Sequence, residues 1–216
     1  MELKIEDQSR GTRILYGNEV SNRYKVLNTF IDYIQEVEEF DPIQVPSVEP
    51  QHIYINKAGL EILNQMYTFN DKSLRELCLR PEVTATIQLI ADKHWKGQEK
   101  RVWYFEKCWR YEKPQTGRYR EFWQFGVEIL NPKQDYKQYL IEIASSLVSF
   151  VTDNYKIVES VKRGLSYYTD LGFEIECDEL GTQKQVCGGG SYKNGIGFAI
   201  GFDRLMLLYE PRKTKK

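Results

Sequence analysis

Histidine is scarce in this 216-residue chain, which has only His52 and His94. The four cysteines, Cys78, Cys108, Cys177 and Cys187, form no CxxC pair and have no paired histidine nearby. That pattern argues against a zinc site and for reduced, packed thiols. No segment approaches the roughly 20 apolar residues needed to span a bilayer, and the opening MELKIEDQSRGTRILYG carries no signal-peptide core. The expectation is a soluble, cytoplasmic protein with no membrane partner. A net charge of -1 removes the broad basic field that would announce nucleic acid. Gly188, Gly189, Gly190, Gly195, Gly197 and Gly201 cluster in the last third, yet they spell neither GxGxxG after a strand nor GxxxxGK[ST], so Rossmann and P-loop sites are disfavoured. There is no Gly/Ser or Pro-rich linker, no low-complexity tract and no repeat of fixed period, which leaves residues 1–216 as a single domain.

What the chain does have is the stretch from Arg101 to Leu130, RVWYFEKCWRYEKPQTGRYREFWQFGVEIL. Successive side chains of a strand point to opposite faces, so parity sorts them. Odd positions carry Trp103, Phe105, Trp109, Tyr111, Trp123, Phe125, Val127 and Ile129, expected to fill a core. Even positions carry Glu106, Arg110, Glu112, Arg120, Phe122, Gln124 and Glu128. Lys113 to Gly117 is rich in turn formers, so an antiparallel pair joined by a longer loop is expected.

Alternation alone also fits the solvated side of a sheet. Three details favour a ligand. The face offers arginines, an aromatic ring and a glutamine in place of Lys/Glu mixtures; Gly126 omits a side chain where a ligand would approach the backbone; and arginine suits bidentate contact with carboxylate or phosphate. The expected ligand is planar and anionic. Lys93, Lys96, Lys100, Lys107, Lys113 and Arg118 crowd the same region, which fits phosphate contact and a solvated surface equally when clustering is the only ground.

Helical spacing predicts a helix over Asn22–Phe40, capped by Ser21 or Asn22 and ended by Asp41-Pro42, then a Pro46-bearing strand from Ile43 to Val48. Met66–Phe69 and Leu74–Leu79 read as short extended pieces. Arg80-Pro81 introduces a helix over Glu82–Trp95, and Asp135–Val151 is a further amphipathic helix. Phe173–Cys177, Gln185–Tyr192 and Ile196–Ile200 read as strands and Phe202–Tyr209 as a helix, so the order implies an antiparallel-rich α+β domain.

Six segments then point to a family. Pro46 after the long helix, CWRYEKPQTGRYREFWQFGVEIL and GFAIGFDRLMLL resemble motifs one, two and three of the class II aminoacyl-tRNA synthetases. MYTFNDKSLRELCLRPEVTA, RGLSYYTDLGFE and VCGGGSY resemble elements particular to histidyl-tRNA synthetases. The resemblance runs from about Val20 to Tyr209 and implies a class II synthetase-like antiparallel sheet flanked by helices, acting as a homodimer through motif one.

The resemblance further implies histidine, ATP and Mg2+ as ligands. Arg110 would bind the ATP α-phosphate and the substrate carboxylate region, Glu112 would meet adenine and Phe122 would stack on it. Arg118 and Arg120 would contact the outer phosphates, with Arg204 clamping the γ-phosphate or adenine. Glu82, Thr84 and Gln124 would hold the α-amino group. Glu128 and Tyr168 would bond the imidazole nitrogens with Tyr192 nearby, Arg163 would stabilise the attacking carboxylate, and Gln115 would face the acceptor end of tRNA. A carboxylate and a phenol on the two ring nitrogens would be left unpaired by an apolar side chain, at roughly 1 to 3 kcal/mol per group.

The chain departs from the family at Ser166 (usually Asp), Ser191 (usually Arg) and Asp203 (commonly Glu), which bears on the geometry around Tyr168. It is also expected to lack the helical insertion and the anticodon-binding domain. Three readings stand in order: a minimal enzyme charging tRNA, a histidine-activating ligase with another acceptor, and a non-catalytic paralogue serving as a regulatory or binding subunit.

Overall fold

The computed structural model describes residues 2–161 and 172–210. Strands β1 (Glu2–Leu3) and β2 (Ile14–Leu15) form a small hairpin ahead of helix α1 (Asn18–Asp32), which runs into a π-helical turn at Tyr33–Val37. Then come β3 (Asp41–Pro42), β4 (Val48–Pro50), α2 (Gln51–Ala58), β5 (Tyr67–Asn70), β6 (Glu76–Leu79) and α3 (Thr84–His94). The second half holds the long pair β7 (Lys100–Trp109) and β8 (Glu121–Leu130), α4 (Lys137–Ser149), β9 (Lys156–Val161), β10 (Gly172–Glu176), β11 (Gln185–Tyr192), β12 (Gly195–Gly201) and α5 (Phe202–Leu205). Seven strands make the main sheet in the order β3-β7-β8-β12-β11-β10-β9, with a separate three-stranded sheet β4-β6-β5. Among the described residues, only the short β3–β7 pairing is parallel. No helix among the described residues is long and apolar enough to cross a membrane.

The expected α+β architecture is therefore present, with local corrections. Helix α1 starts at Asn18 behind Gly17 and has no side-chain cap bond, so neither Ser21 nor Asn22 caps it. The span Ile43–Val48 is not one strand: β3 precedes it and β4 begins at its end. Pro46 sits exposed between the two, where its missing N–H costs no ladder bond. The end of the Phe202–Tyr209 helix tightens into a 3-10 turn at Met206–Leu208.

The parity of the long hairpin decides which layer covers which face. Trp103, Phe125, Val127 and Ile129 point into the main core, against Phe30 of α1 and Leu140, Ala144 and Leu147 of α4. Phe30 meets Phe125 edge-on at 5.2 Å between ring centroids, the geometry favoured by aromatic quadrupoles. Trp109 and Tyr111 do not share this core. The Trp109 indole donates to Glu121 at 3.1 Å, and Tyr111 is exposed. On the even face, Val102, Tyr104 and Cys108 pack beneath Val83 and, within α3, Ile87 and Ala91. Where α3 covers it, this face is mostly apolar, with Glu128 the buried acid among those side chains.

Gly126 has a different reason from the expected ligand approach. Its cross-strand partner is Tyr104, and a Cβ at Gly126 would lie 2.0 Å from that ring. A buried phenol takes the space.

One charged side chain joins the two sheets. Arg80 is 1% exposed. Its Nε donates to the Lys107 carbonyl at 2.7 Å, Nη1 donates to the carbonyls of Val45 at 2.6 Å and Pro46 at 3.1 Å, and Nη2 pairs with Glu106. A guanidinium satisfied on every side tolerates burial, but removing it strands Glu106 and three carbonyls. We expect Arg80→Met to lower stability by about 3–5 kcal/mol in urea unfolding. A loss under about 1 kcal/mol, the range of an exposed pair, would contradict the role assigned to Arg80.

Candidate active site

A cavity of about 360 Å³ opens over the even face of the hairpin. Among its walls are Glu82, Thr84, Arg110, Glu112, Arg118, Phe122, Gln124 and Arg204. Four stretches far apart in sequence thus converge: the start of α3, the end of β7, the loop and strand around β8, and α5.

Each wall residue is placed by its neighbours. Pro81, with its fixed φ, leads into α3, and the Glu82 carboxylate, just ahead of the helix, accepts the first-turn Ala85 N–H at 3.0 Å. The Arg110 Nε donates to the Pro81 carbonyl at 2.8 Å, and its guanidinium lies 5.2 Å from the Phe122 ring centroid. Glu112 pairs with Arg118. Arg204 reaches across to the loop, donating from Nε to the Gly117 carbonyl at 2.7 Å and from Nη1 to the Gln185 carbonyl at 2.5 Å. Burial, then the nearby charges of Arg110 and Arg118, lower the Arg204 pKa from its ordinary value. Three guanidiniums held together against their mutual repulsion leave a surplus of positive charge, which suits a polyanion. The Cys108 thiol faces the Gln124 Oε1 at 3.1 Å.

Deeper lies an acidic layer. Glu128 is 1% exposed. Thr84 Oγ1 donates to its Oε1 at 2.6 Å and the Tyr192 hydroxyl donates to its Oε2 at 2.8 Å. Burial pushes Glu128 up to about 8, the two hydroxyl bonds only partly offsetting it. Burial also pushes Glu82 up to about 7, opposed by the Ala85 N–H and Arg110. A Cβ at Gly197 would lie 1.8 Å from the Glu128 carboxylate oxygen, so only glycine admits Glu128 in this pose.

Not every expected residue faces the cavity. Arg120 turns away: its Nε donates to the Glu112 carbonyl at 2.9 Å and its guanidinium lies 4.1 Å over Tyr111. Glu128 and Tyr192 stand behind Thr84 and Tyr104 and are not cavity walls. Gln115 is exposed near the tip of the loop. Arg163, Ser166 and Tyr168 fall outside the described residues. In the other direction, the walls include Tyr104, Tyr119, Trp123 and Asp203, none of which was assigned a contact. Tyr104 shares the even parity of Gln124 and was legible by the same rule. Asp203 was visible only as a departure from motif three.

A mostly antiparallel sheet in this order, with a charged cavity on the hairpin and an arginine from α5 closing it, has the fold of a class II aminoacyl-tRNA synthetase catalytic domain. The solved structures agree on the fold. S. aureus apo histidyl-tRNA synthetase superposes with a TM-score of 0.78 at 22% identity, over 98% of this chain and 74% of that one. A histidine–tRNA ligase subunit from Alicyclobacillus acidocaldarius gives 0.81 at 13% identity over 95% and 98%. A Bacillus halodurans protein titled ATP phosphoribosyltransferase regulatory subunit/histidyl-tRNA synthetase gives 0.77 at 14% identity over 98% and 85%.

The family model of histidyl-tRNA synthetase matches residues 11–154, and the chain belongs to that family. In sequence it is 28% identical to the histidine–tRNA ligase of Archaeoglobus fulgidus over 94% of this chain and 76% of that protein. With the Methanosarcina acetivorans enzyme it shares 26% identity over 93% and 75%. The A. fulgidus match extends over 311 residues, although this chain contributes 94% of its 216. About a third of that span therefore has no counterpart here.

The buried acids carry a pH signature. A carboxyl with a folded pKa raised above its unfolded value of 4.5 binds protons more tightly when folded, so its contribution is complete below that value and lost as pH rises through about 8 for Glu128. Unliganded protein should therefore lose stability across this window, and Glu128→Gln should flatten the loss. Thermal melts from pH 5 to 9 read this directly; parallel curves for the two proteins would refute the assignment.

Proposed function

We propose that the chain is a single class II catalytic domain that uses ATP to activate histidine as histidyl-adenylate and passes the histidyl group to tRNA. The observation that carries this reading is the convergence of Arg110, Arg118 and Arg204 with Phe122 around one cavity that Glu82, Thr84 and Gln124 also line.

In this reading adenine stacks on Phe122 beside Arg110, and the phosphates lie among Arg110, Arg118 and Arg204. A histidine carboxylate oxygen attacks the α-phosphorus, the bond to the β-bridging oxygen breaks, and pyrophosphate leaves with its electron pair. The nucleophile is already an anion, so the step needs alignment and positive charge more than an acid or a base. Arg110 orients the α-phosphate, and Arg204 restrains the leaving phosphates. Among the described residues no group of three or more His, Cys, Asp or Glu could hold a metal. Mg2+ would enter with the nucleotide and neutralise its outer phosphates, with Glu112 the wall carboxylate that would help to hold it. Glu82 and Gln124 take the α-amino group, and imidazole meets Glu128 once Thr84 or Tyr192 yields a bond. Arg163, Tyr168 and Gln115 keep the roles their motifs imply.

A second reading, transfer to an acceptor other than tRNA, is favoured by the unmatched third of the A. fulgidus span, since such segments are free to carry tRNA contacts. A binding-only subunit is the third. The intact arginine set supports an enzyme over that one. The proposal places the protein in the cytoplasm as a homodimer. Val48, Leu60, Phe69 and Leu74 are exposed apolar side chains on or near the three-stranded sheet, and we take them as the residues a second copy would cover. Phe69→Asp should shift sedimentation from dimer toward monomer; a monomeric wild type would sink the dimer.

Histidine-dependent exchange of labelled pyrophosphate into ATP tests the adenylation step, and its absence from pure protein with ATP and Mg2+ would overturn it. Glu128→Ala should raise the KM for histidine by about tenfold or more while ATP affinity changes little. Equal losses of both would refute the pocket assignment. Labelled histidine offered to total tRNA and to total protein then identifies the acceptor.

A further inference from the structure

Residues ahead of α1 lie across the loop that carries Arg118. The Gly11 carbonyl accepts the Arg120 N–H at 2.8 Å, and a Cβ at Gly11 would come within 2.9 Å of both Arg120 and Pro114, so backbone and loop touch directly. Two residues on, the Arg13 guanidinium stacks 3.9 Å from the centroid of the Tyr119 ring, which lines the cavity. The same guanidinium pairs with Asp203, another wall residue and the neighbour of Arg204.

Asp203 is the difficult element of this wall. A carboxylate beside the site of a polyphosphate repels it unless it is neutralised. Asp203 is 5% exposed, its Oδ2 accepts the Trp123 N–H at 2.5 Å, and its Oδ1 receives both Arg13 and, at 3.0 Å, Arg23. Two guanidiniums on one carboxylate turn the local charge from negative to positive. Arg23 lies within α1, packed 5.1 Å from Phe202, whereas Arg13 alone reaches both Asp203 and the loop.

We infer that Arg13 is a positioning residue for ATP: it neutralises Asp203 and holds Tyr119 by its ring, fixing the loop of Arg118 against the helix of Arg204. It touches neither substrate in this arrangement and acts through those two neighbours. This rests on the proposed nucleotide role of the cavity.

The role predicts a split that general weakening would not produce. In pyrophosphate exchange, Arg13→Ala should raise the KM for ATP about tenfold, the scale of one buried cation–π and charge contact, with less than about a twofold change in the KM for histidine. Arg13→Lys, which keeps the charge and loses the planar stack, should recover part of the loss, and Tyr119→Leu should reproduce the intermediate effect. Thermal melts show whether each variant is folded, and ATP titration followed by tryptophan fluorescence gives affinity without turnover. Both KM values rising together, or an unchanged KM for ATP, would overturn the inference. A wild type that binds ATP without exchanging overturns the adenylation reading alone, and Arg13→Ala is then judged by ATP affinity. A wild type that binds no ATP overturns both.

Discussion

The dipeptide Arg80-Pro81 holds the two halves of the site in one frame. The Arg80 side chain ties Val45, Pro46, Glu106 and Lys107 together, its N–H donates to the Ser47 carbonyl, and its carbonyl accepts the Trp109 N–H. One residue later the Pro81 carbonyl accepts Arg110, and α3 begins with Glu82 and Thr84 already in place. The residue proposed to orient the phosphate and those proposed to take the amino group are thus fixed to the same few atoms of backbone. A shift of Arg80 would move them together. Alignment within a fraction of an ångström is what a reaction driven by positioning requires.

The charge pattern follows from the layering. The acids are buried, Glu82 in the wall and Glu128 behind it, and burial raises both into the neutral range, while arginines stand around the opening. A protonated carboxyl is cheap to bury, so the empty protein tolerates two acids in close quarters. The opening needs the opposite treatment, and there every carboxylate is matched: Glu112 by Arg118, and Asp203 by Arg13 and Arg23.

Much of this was legible in the sequence because it is local. Parity placed Trp103, Phe125, Val127 and Ile129 inward and Phe122 and Gln124 toward the cavity, and apolar periodicity located α3 and α4 to within about two residues. Contacts between neighbours across a strand pair were harder. Gly126 looked like room for a ligand until the register set Tyr104 opposite it. Arg120 had the right parity, but it precedes β8 in the loop, where its contacts with the Glu112 carbonyl and the Tyr111 ring set its direction instead. The pairing of Arg13 with Asp203, 190 residues apart, leaves no local trace at all.

The fit between Gly197 and Glu128 bears on how such a site can change over generations. Any residue with a Cβ at position 197 collides with the acid, and shortening the acid leaves Thr84 and Tyr192 facing a gap. Neither change is easy alone, and the two sites are adjacent across β8 and β12 yet distant in the gene. A change at either position alters the space or the hydrogen bonds of the other, so the two are expected to change together. The pair therefore links the residue allowed at position 197 to the one held at position 128.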